Sequence, residues 1–339
     1  MTDGQPNEIE EEIAQASKFI APLKREISRV VVGQDKLIDR LVLALLTKGH
    51  VLVEGVPGLA KTLSIHTLAM ALDAKFSRIQ FTPDLLPADL IGTRVFNSDK
   101  NEFGTWKGPI FANLVLADEI NRAPAKVQSG LLEAMQEGQV TIGDESHSLP
   151  QPFFVMATQN PLELDGTYPL PEAQIDRFMM KIDVDYPSRN EERNVMTLMG
   201  RTAPPATVKA VCSLDDFQKA GALVDAIYVD ERIVEYVLDL TIATRVNTKH
   251  LSQKQETETL RRFAPLIECG ASPRATIFLA LAAKAKAFLD GRSFVIPEDV
   301  KEMAIDVLAH RIIPSYEAEA EGLSARNLIA QLIDCINVP

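Results

Sequence analysis

The feature that most constrains this chain is an octapeptide, Gly55-Val56-Pro57-Gly58-Leu59-Ala60-Lys61-Thr62. It follows a short apolar run, Val51-Leu52-Val53-Glu54, and precedes a helical pattern that opens at Lys61. Strand, glycine-rich turn and helix in that order are the context a phosphate-binding loop requires. Glycines let backbone N–H groups face a polyphosphate, and the helix N-terminus adds partial positive charge. Lys61 then reaches the β and γ phosphates, and the Thr62 hydroxyl can ligate Mg2+. One residue departs from the pattern GxxxxGK followed by Ser or Thr: Ala60 stands where the second glycine is expected. Ala is small, and Gly55 and Gly58 remain. The phosphate-loop reading therefore outweighs that of an ordinary Gly/Pro turn before a helix.

The surrounding pattern suits such a loop. From about residue 50 to 187, apolar strand runs at 51–54, 114–117 and 153–157 alternate with helical patterns, one opening at Lys61 and one fitting Ala125–Glu137. That alternation predicts an α/β domain with a doubly wound, mostly parallel sheet. Residues 92–110, around Phe96, Phe103 and Trp106, and residues 138–152 interrupt it and read as projecting hairpins. Upstream, residues 8–29 read as an amphipathic helix with a break at Pro22. Downstream, residues 187–210 read as a helix and then a linker near Arg201–Thr207. Strands then disappear, and helical patterns fit about 214–221, 230–246, 256–268, 273–290, 297–310 and 323–335. The expected organisation is a helical segment over 1–29, an α/β nucleotide-binding domain over 30–200 and a smaller all-α domain over 208–339.

Composition removes several function classes. With 46% hydrophobic and 24% charged residues, a long disordered or collagen-like chain is excluded. The longest apolar runs, Leu41–Leu46 and Ile277–Ala283, fall far short of the ~20 residues that span a bilayer. The start is acidic, with Glu8, Glu10, Glu11 and Glu12 and no basic region, so a secretory signal is not expected and the expected location is cytoplasmic. A net charge of −12 counts against a coat for nucleic acid or anionic membrane. Cys212, Cys269 and Cys335 form no CxxC pair and imply no disulfide framework. The five histidines form no paired set, which argues against a structural zinc site.

Four further segments carry candidate chemistry. Leu114-Val115-Leu116-Ala117 reads as a buried strand, and Asp118 and Glu119 follow at its carboxyl end, where open α/β sheets place ligands. Asp118 fits a Mg2+ partner through water, and Glu119 fits the base that orients and polarises the attacking water. Phe153–Pro161 is a second apolar strand ending in amides, and Asn160 is placed to bond a γ-phosphate or the lytic water. Arg177 ends a short helix that opens at Pro171 or Glu172; a surface Arg at a helix end and an arginine supplied to a neighbour's nucleotide are both open readings. Ser272 suits a helix N-cap and Pro273 the first helical position. Arg274 then sits on the unfavourable end of the helix dipole, where a nucleotide phosphate or a nearby acid would explain it.

Taken in order, these motifs resemble the MoxR family of AAA+ ATPases. Gly55–Thr62 matches the family's Walker A form, including the Ala before the Lys. Asp118-Glu119-Ile120-Asn121-Arg122-Ala123-Pro124 matches its Walker B, and Ala157-Thr158-Gln159-Asn160-Pro161 its sensor 1. Asp176-Arg177-Phe178 matches the arginine-finger segment, and Gly270-Ala271-Ser272-Pro273-Arg274 the start of sensor 2. Val32-Gly33-Gln34 resembles the segment that contacts adenine. The resemblance runs over about residues 25–335. It implies ATP and Mg2+ as cofactors, a self-assembled ring that is usually a hexamer, and a partner with a von Willebrand factor A domain.

Three function classes follow. The leading one is an ATP hydrolase that remodels a protein partner. A nucleic-acid motor is the second, and the acidic balance and lack of an appended DNA-binding motif count against it. A non-hydrolysing, ATP-gated binding module is the third, and it would need neither Glu119 nor Arg177.

Overall fold

The computed structural model describes residues 6–98, 101–162, 166–200, 202, 207–245 and 263–339. The chain divides into two compact units: Phe19–Phe178 with Ile182–Gln218 form one, and the remainder forms the other.

Residues 51–183 carry strands β1 (Val51–Glu54), β2 (Phe76–Gln80), β3 (Gly92–Asn97), β4 (Glu102–Lys107), β5 (Leu114–Asp118), β6 (Gln139–Ile142), β7 (Glu145–Ser148), β8 (Phe154–Gln159) and β9 (Met180–Asp183). Five of them form one sheet in the order β2-β5-β8-β1-β9. The pairs β2–β5, β5–β8 and β1–β8 are parallel. Their register brings Gln80 beside Asp118, and Glu54 beside Gln159, so the polar strand ends share one edge. Val51–Val53, Leu114–Ala117 and Phe154–Ala157 are fully buried, which is what a parallel strand covered on both faces demands. Leu131, Leu132 and Phe178 join Val115, Ala117, Val155 and Ala157 in one apolar cluster. His50 is held inside it: Nδ1 accepts from the Val155 N–H and Nε2 bonds the Met135 carbonyl, both at 3.1 Å. Burial pushes its pKa down to about 4, so the imidazole is neutral there.

Two antiparallel ribbons leave the sheet, β3 with β4 and β6 with β7. The first is exposed on both faces; Phe96 and Phe103 stack edge to face at 5.2 Å, and Trp106 is 71% exposed. Gly92 at its base has φ +102°, and a Cβ there would stand 2.1 Å from the Trp106 carbonyl oxygen.

Upstream, the expected helix over 8–29 is broken, but not at Pro22. Helices Pro6–Ala16 and Ile20–Ser28 are separated by a 3-10 turn at Ser17–Phe19. Pro22 is the third residue of the second helix, where a missing N–H costs no hydrogen bond.

The second unit is helical, including Glu231–Ala243, Pro273–Leu289, Pro297–Leu308 and Ala325–Cys335. It also holds a ribbon that the sequence pattern does not show, β10 (Ile267–Cys269) against β11 (Ile313–Pro314). Most of the helix expected over 256–268 and of the linker near 201–207 lies outside the described residues. Ala264–Leu266, at the end of that span, is a single 3-10 turn. Among the described residues no helix is long and apolar enough to cross a membrane.

Candidate nucleotide site

β1 ends at Glu54, and the chain turns through the octapeptide into the helix Lys61–Ala71. Gly55 is required sterically: a Cβ there would lie 2.8 Å from the Val184 carbonyl oxygen. Gly58 is required for its backbone, at φ +87° with open space around it. Ala60 adopts φ +57°, ψ +19°, the left-handed conformation that glycine would take without cost. An L-residue there costs about 1 kcal/mol, which explains why the glycine of the general pattern is dispensable but not irrelevant. The Lys61 ammonium reaches back to the Gly55 carbonyl. Burial lowers its pKa, while the nearby Asp118, Glu119 and Glu54 act in the opposite direction.

The two acids at the end of β5 are held differently. Asp118 Oδ1 accepts from the Thr158 hydroxyl at 2.7 Å. Its Oδ2 accepts from Arg78, from Nη2 at 2.6 Å and Nε at 3.1 Å. Glu119 has φ +58°, which turns its side chain out of the strand. Its N–H donates to the Thr158 Oγ1 at 2.9 Å, so one buried hydroxyl fixes both acids. Glu119 Oε2 accepts from Gln80 Nε2 at 2.8 Å and from Arg122 Nη1 at 3.0 Å. Gln128, fully buried, ties down the turn that follows: its amide donates to the Ile120, Ala123 and Tyr168 carbonyls at 3.2, 3.1 and 2.9 Å.

These groups meet in a cleft of about 410 Å³. It is lined by Pro57–Leu63 of the loop and first helical turn, and by Arg78, Gln80, Asp118, Glu119, Thr158 and Asn160. A lysine, a helix N-terminus and two strand-end carboxylates around one opening can hold a polyphosphate together with a cation. Oxygen donors in the lining that suit such a cation include the Thr62 hydroxyl and the Asp118 carboxylate. That is a hard, sparse set, and Mg2+ takes such sets when phosphates and water complete its shell. Among the described residues no group of three or more His, Cys, Asp or Glu could hold a metal by itself.

Comparison with known proteins agrees with this geometry. The model of the ATPase family associated with various cellular activities (AAA) matches residues 50–180, and that of an AAA lid domain matches residues 260–332. Chaperone MoxR1 of Mycobacterium tuberculosis is 47% identical over 314 residues, covering 93% of this chain and 81% of that protein. The uncharacterised protein YeaC of Bacillus subtilis is 43% identical over 313 residues, covering 92% of each. Protein MoxR of Methylorubrum extorquens is 31% identical over 332 residues, covering 94% of this chain and 95% of that one. The chain belongs to the MoxR family of AAA+ ATPases. A solved structure from Cytophaga hutchinsonii, assigned as an ATPase, superposes with a TM-score of 0.89 at 47% identity, over 99% of this chain and all of that one.

The MoxR-type motifs do not all converge. Residues 57–62, Asp118, Glu119 and Asn160 line the cleft. Val32, Gly33 and Gln34 lie elsewhere in the same unit; Gly33 has φ +73° with the Glu191 side chain beside it, and Gln34 is buried ahead of the helix Asp35–Leu46. Arg177 follows the short helix Glu172–Ile175 and donates from Nη1 to the Leu132 carbonyl at 2.9 Å, outside the lining of the cleft. Arg274 belongs to the second unit. There Ser272 is the N-cap of Pro273–Leu289, its hydroxyl accepting from the Arg274 N–H at 3.2 Å.

The motifs assign no role to four contributors, Arg78, Gln80, Arg122 and the Thr158 hydroxyl, although Arg122 and Thr158 lie within the segments matched to Walker B and sensor 1. Arg78 and Gln80 sit on β2, whose Phe-Ser-Arg-Ile-Gln carries no apolar run. The usable signal was weak: two polar residues at i and i+2 flanking Ile79, the one buried residue of the strand.

Proposed function

We propose that this MoxR-family chain binds ATP with Mg2+ in the cleft and hydrolyses it, as one subunit of a ring, to remodel or mature a protein partner. The observation that carries this reading is the meeting of the phosphate loop with Asp118 and Glu119 at one opening. The loop amides from Gly55 to Thr62 and the Lys61 ammonium would bind the phosphates. The Thr62 hydroxyl and Asp118 carboxylate would hold Mg2+, which neutralises charge on the β and γ phosphates when bound. Glu119, steadied by Gln80 and Arg122, would orient water in line with the γ-phosphorus and draw off its proton. Asn160 uses its Oδ1 to accept from the Leu162 N–H at 3.2 Å, which leaves its amide N–H groups for a phosphate or that water.

The rest of the assignment extends from the family. Val32, Gly33 and Gln34 would contact adenine, and Arg274 a phosphate. Arg177 is held against Leu132, away from the cleft of its own subunit, which supports a role at the neighbour's nucleotide. The relative named as a chaperone makes a protein client the leading target, with a von Willebrand factor A protein as partner, in the cytoplasm.

Shared sites make a sharp test. An Arg177→Ala protein and a Lys61→Ala protein should each hydrolyse ATP poorly, by about 10³-fold for the arginine. Mixed, they should regain activity, because a subunit with intact Lys61 can use an intact Arg177 next door. The wild-type specific activity should also rise with protein concentration. A mixture no better than its parts, with a rate independent of concentration, contradicts the ring.

A further inference from the structure

Arg311 is a buried cation, 7% exposed, in the 3-10 turn Ala309–Arg311 that follows the helix Pro297–Leu308. A guanidinium taken out of water is costly unless its N–H groups find acceptors. Nη1 of Arg311 donates to the Val307 carbonyl and, at 3.2 Å, to the Met179 carbonyl. The guanidinium carbon also lies 5.2 Å from the centroid of the Phe278 ring, a cation–π contact. The bond to Val307 is an ordinary helix end: the last carbonyls lack intrahelical partners, and a cation there suits the dipole. Such a cap has no need of Met179, which is 132 residues away in sequence.

Met179 matters for what precedes it. The chain passes from the first unit to the second between Phe178 and Met179. Arg177 and Phe178 close the turn after the helix Glu172–Ile175, their N–H groups donating to the Gln174 and Ile175 carbonyls at 3.2 and 3.0 Å. Phe178 is fully buried in the apolar cluster of the first unit, and β9 begins only at Met180. Residues 177–179 therefore belong to neither the helix nor the strand. Arg177 stands two residues from a carbonyl that Arg311 holds. Phe278 anchors the other side of the guanidinium. It lies four residues after Arg274 on Pro273–Leu289, so the two share one face of that helix.

We infer that Arg311 is a positioning residue for Arg177. By holding the Met179 carbonyl it fixes the main chain from which the Arg177 side chain extends, and it ties that point to the helix that carries Arg274. This inference rests on the reading that Arg177 completes a neighbour's nucleotide site. Arg311 then acts on a nucleotide that its own subunit does not bind. Misplacing a transition-state contact by about 1 Å costs up to about 10²-fold in rate, and ground-state binding is spared.

A defect of this kind appears next door, so the test uses mixed assemblies. Arg311→Met keeps an apolar stem and removes the donors. Alone it should bind fluorescent ATP within about twofold of wild type and turn over about 10- to 100-fold more slowly, with KM within about twofold. Lys61→Ala keeps Arg177 and Arg311. Mixed with it in equal amounts, about half of the Arg311→Met subunits gain an intact neighbour, and the rate per such subunit should rise at least about fivefold. Joined to Arg177→Ala in one chain, Arg311→Met should add almost nothing to the loss caused by Arg177→Ala, because both remove one contact. Phe278→Leu guards against a Met variant that does not fold. It leaves the hydrogen bonds of Arg311 in place and removes the ring, so turnover should fall about two- to fivefold and rise again in the same mixture. The mixture of Arg177→Ala with Lys61→Ala is the control. If it regains activity while Lys61→Ala raises neither Arg311→Met nor Phe278→Leu, the defect lies within the variant's own subunit and Arg311 is a helix cap only. If the control itself shows no gain, the shared-site reading fails, and the inference with it.

Discussion

β5 and β2 lie side by side in register from Phe76–Leu114 to Gln80–Asp118, yet they obey different rules. β5 is central, and its four apolar residues are fully buried before Asp118 appears at the end. β2 is at the edge, and only Ile79 is buried. The central strand delivers the two acids; the edge strand delivers the arginine and the amide that hold them. The lesson concerns where information sits. A strand covered on both faces announces itself through hydrophobicity, and the charged residues after it stand out. A strand whose outer face lines a cleft looks like a loop, because the residues that would mark it have been given to the site.

The comparison can be pressed experimentally. The largest effect belongs to the central strand. Glu119→Gln removes the base but keeps shape and hydrogen bonding, so ATP should bind within a few-fold of wild type while turnover falls by at least about 10²-fold. Single-turnover hydrolysis with labelled ATP measures this, and equal loss of binding would move Glu119 to metal ligation or folding. The edge strand should matter less. Gln80→Ala leaves Arg122 as a donor to Glu119 at 3.0 Å, so turnover should fall only a few-fold with unchanged ATP affinity. A Gln80→Ala protein as inactive as Glu119→Gln would erase the distinction between the two strands.

Much of the fold was legible because its signals are local. The octapeptide, the run before Asp118 and the run before Asn160 each carry strand and site in adjacent residues. The two exposed ribbons were legible from polar, glycine-bearing stretches, although nothing in Phe96, Phe103 and Trp106 foretold that all three stay exposed. What escaped depends on register. The two donors on Asp118 Oδ2, and the Thr158 hydroxyl shared by Asp118 and Glu119, are contacts across 40 and 39 residues of sequence. No spacing rule relates such positions before the sheet order is known. Ala60 is the reverse case: the residue departs from the general pattern, while its backbone takes the conformation that pattern requires.

The central claim is that the cleft beside the Gly55–Thr62 loop binds ATP through Lys61. Equilibrium binding of fluorescent ATP to wild type and to Lys61→Ala, with Mg2+ present and circular dichroism confirming the same fold, tests it most directly. The account predicts saturable binding by wild type and a loss of at least about tenfold in affinity for Lys61→Ala, the scale of one charge-assisted phosphate contact. Unchanged affinity in a folded Lys61→Ala protein would contradict it.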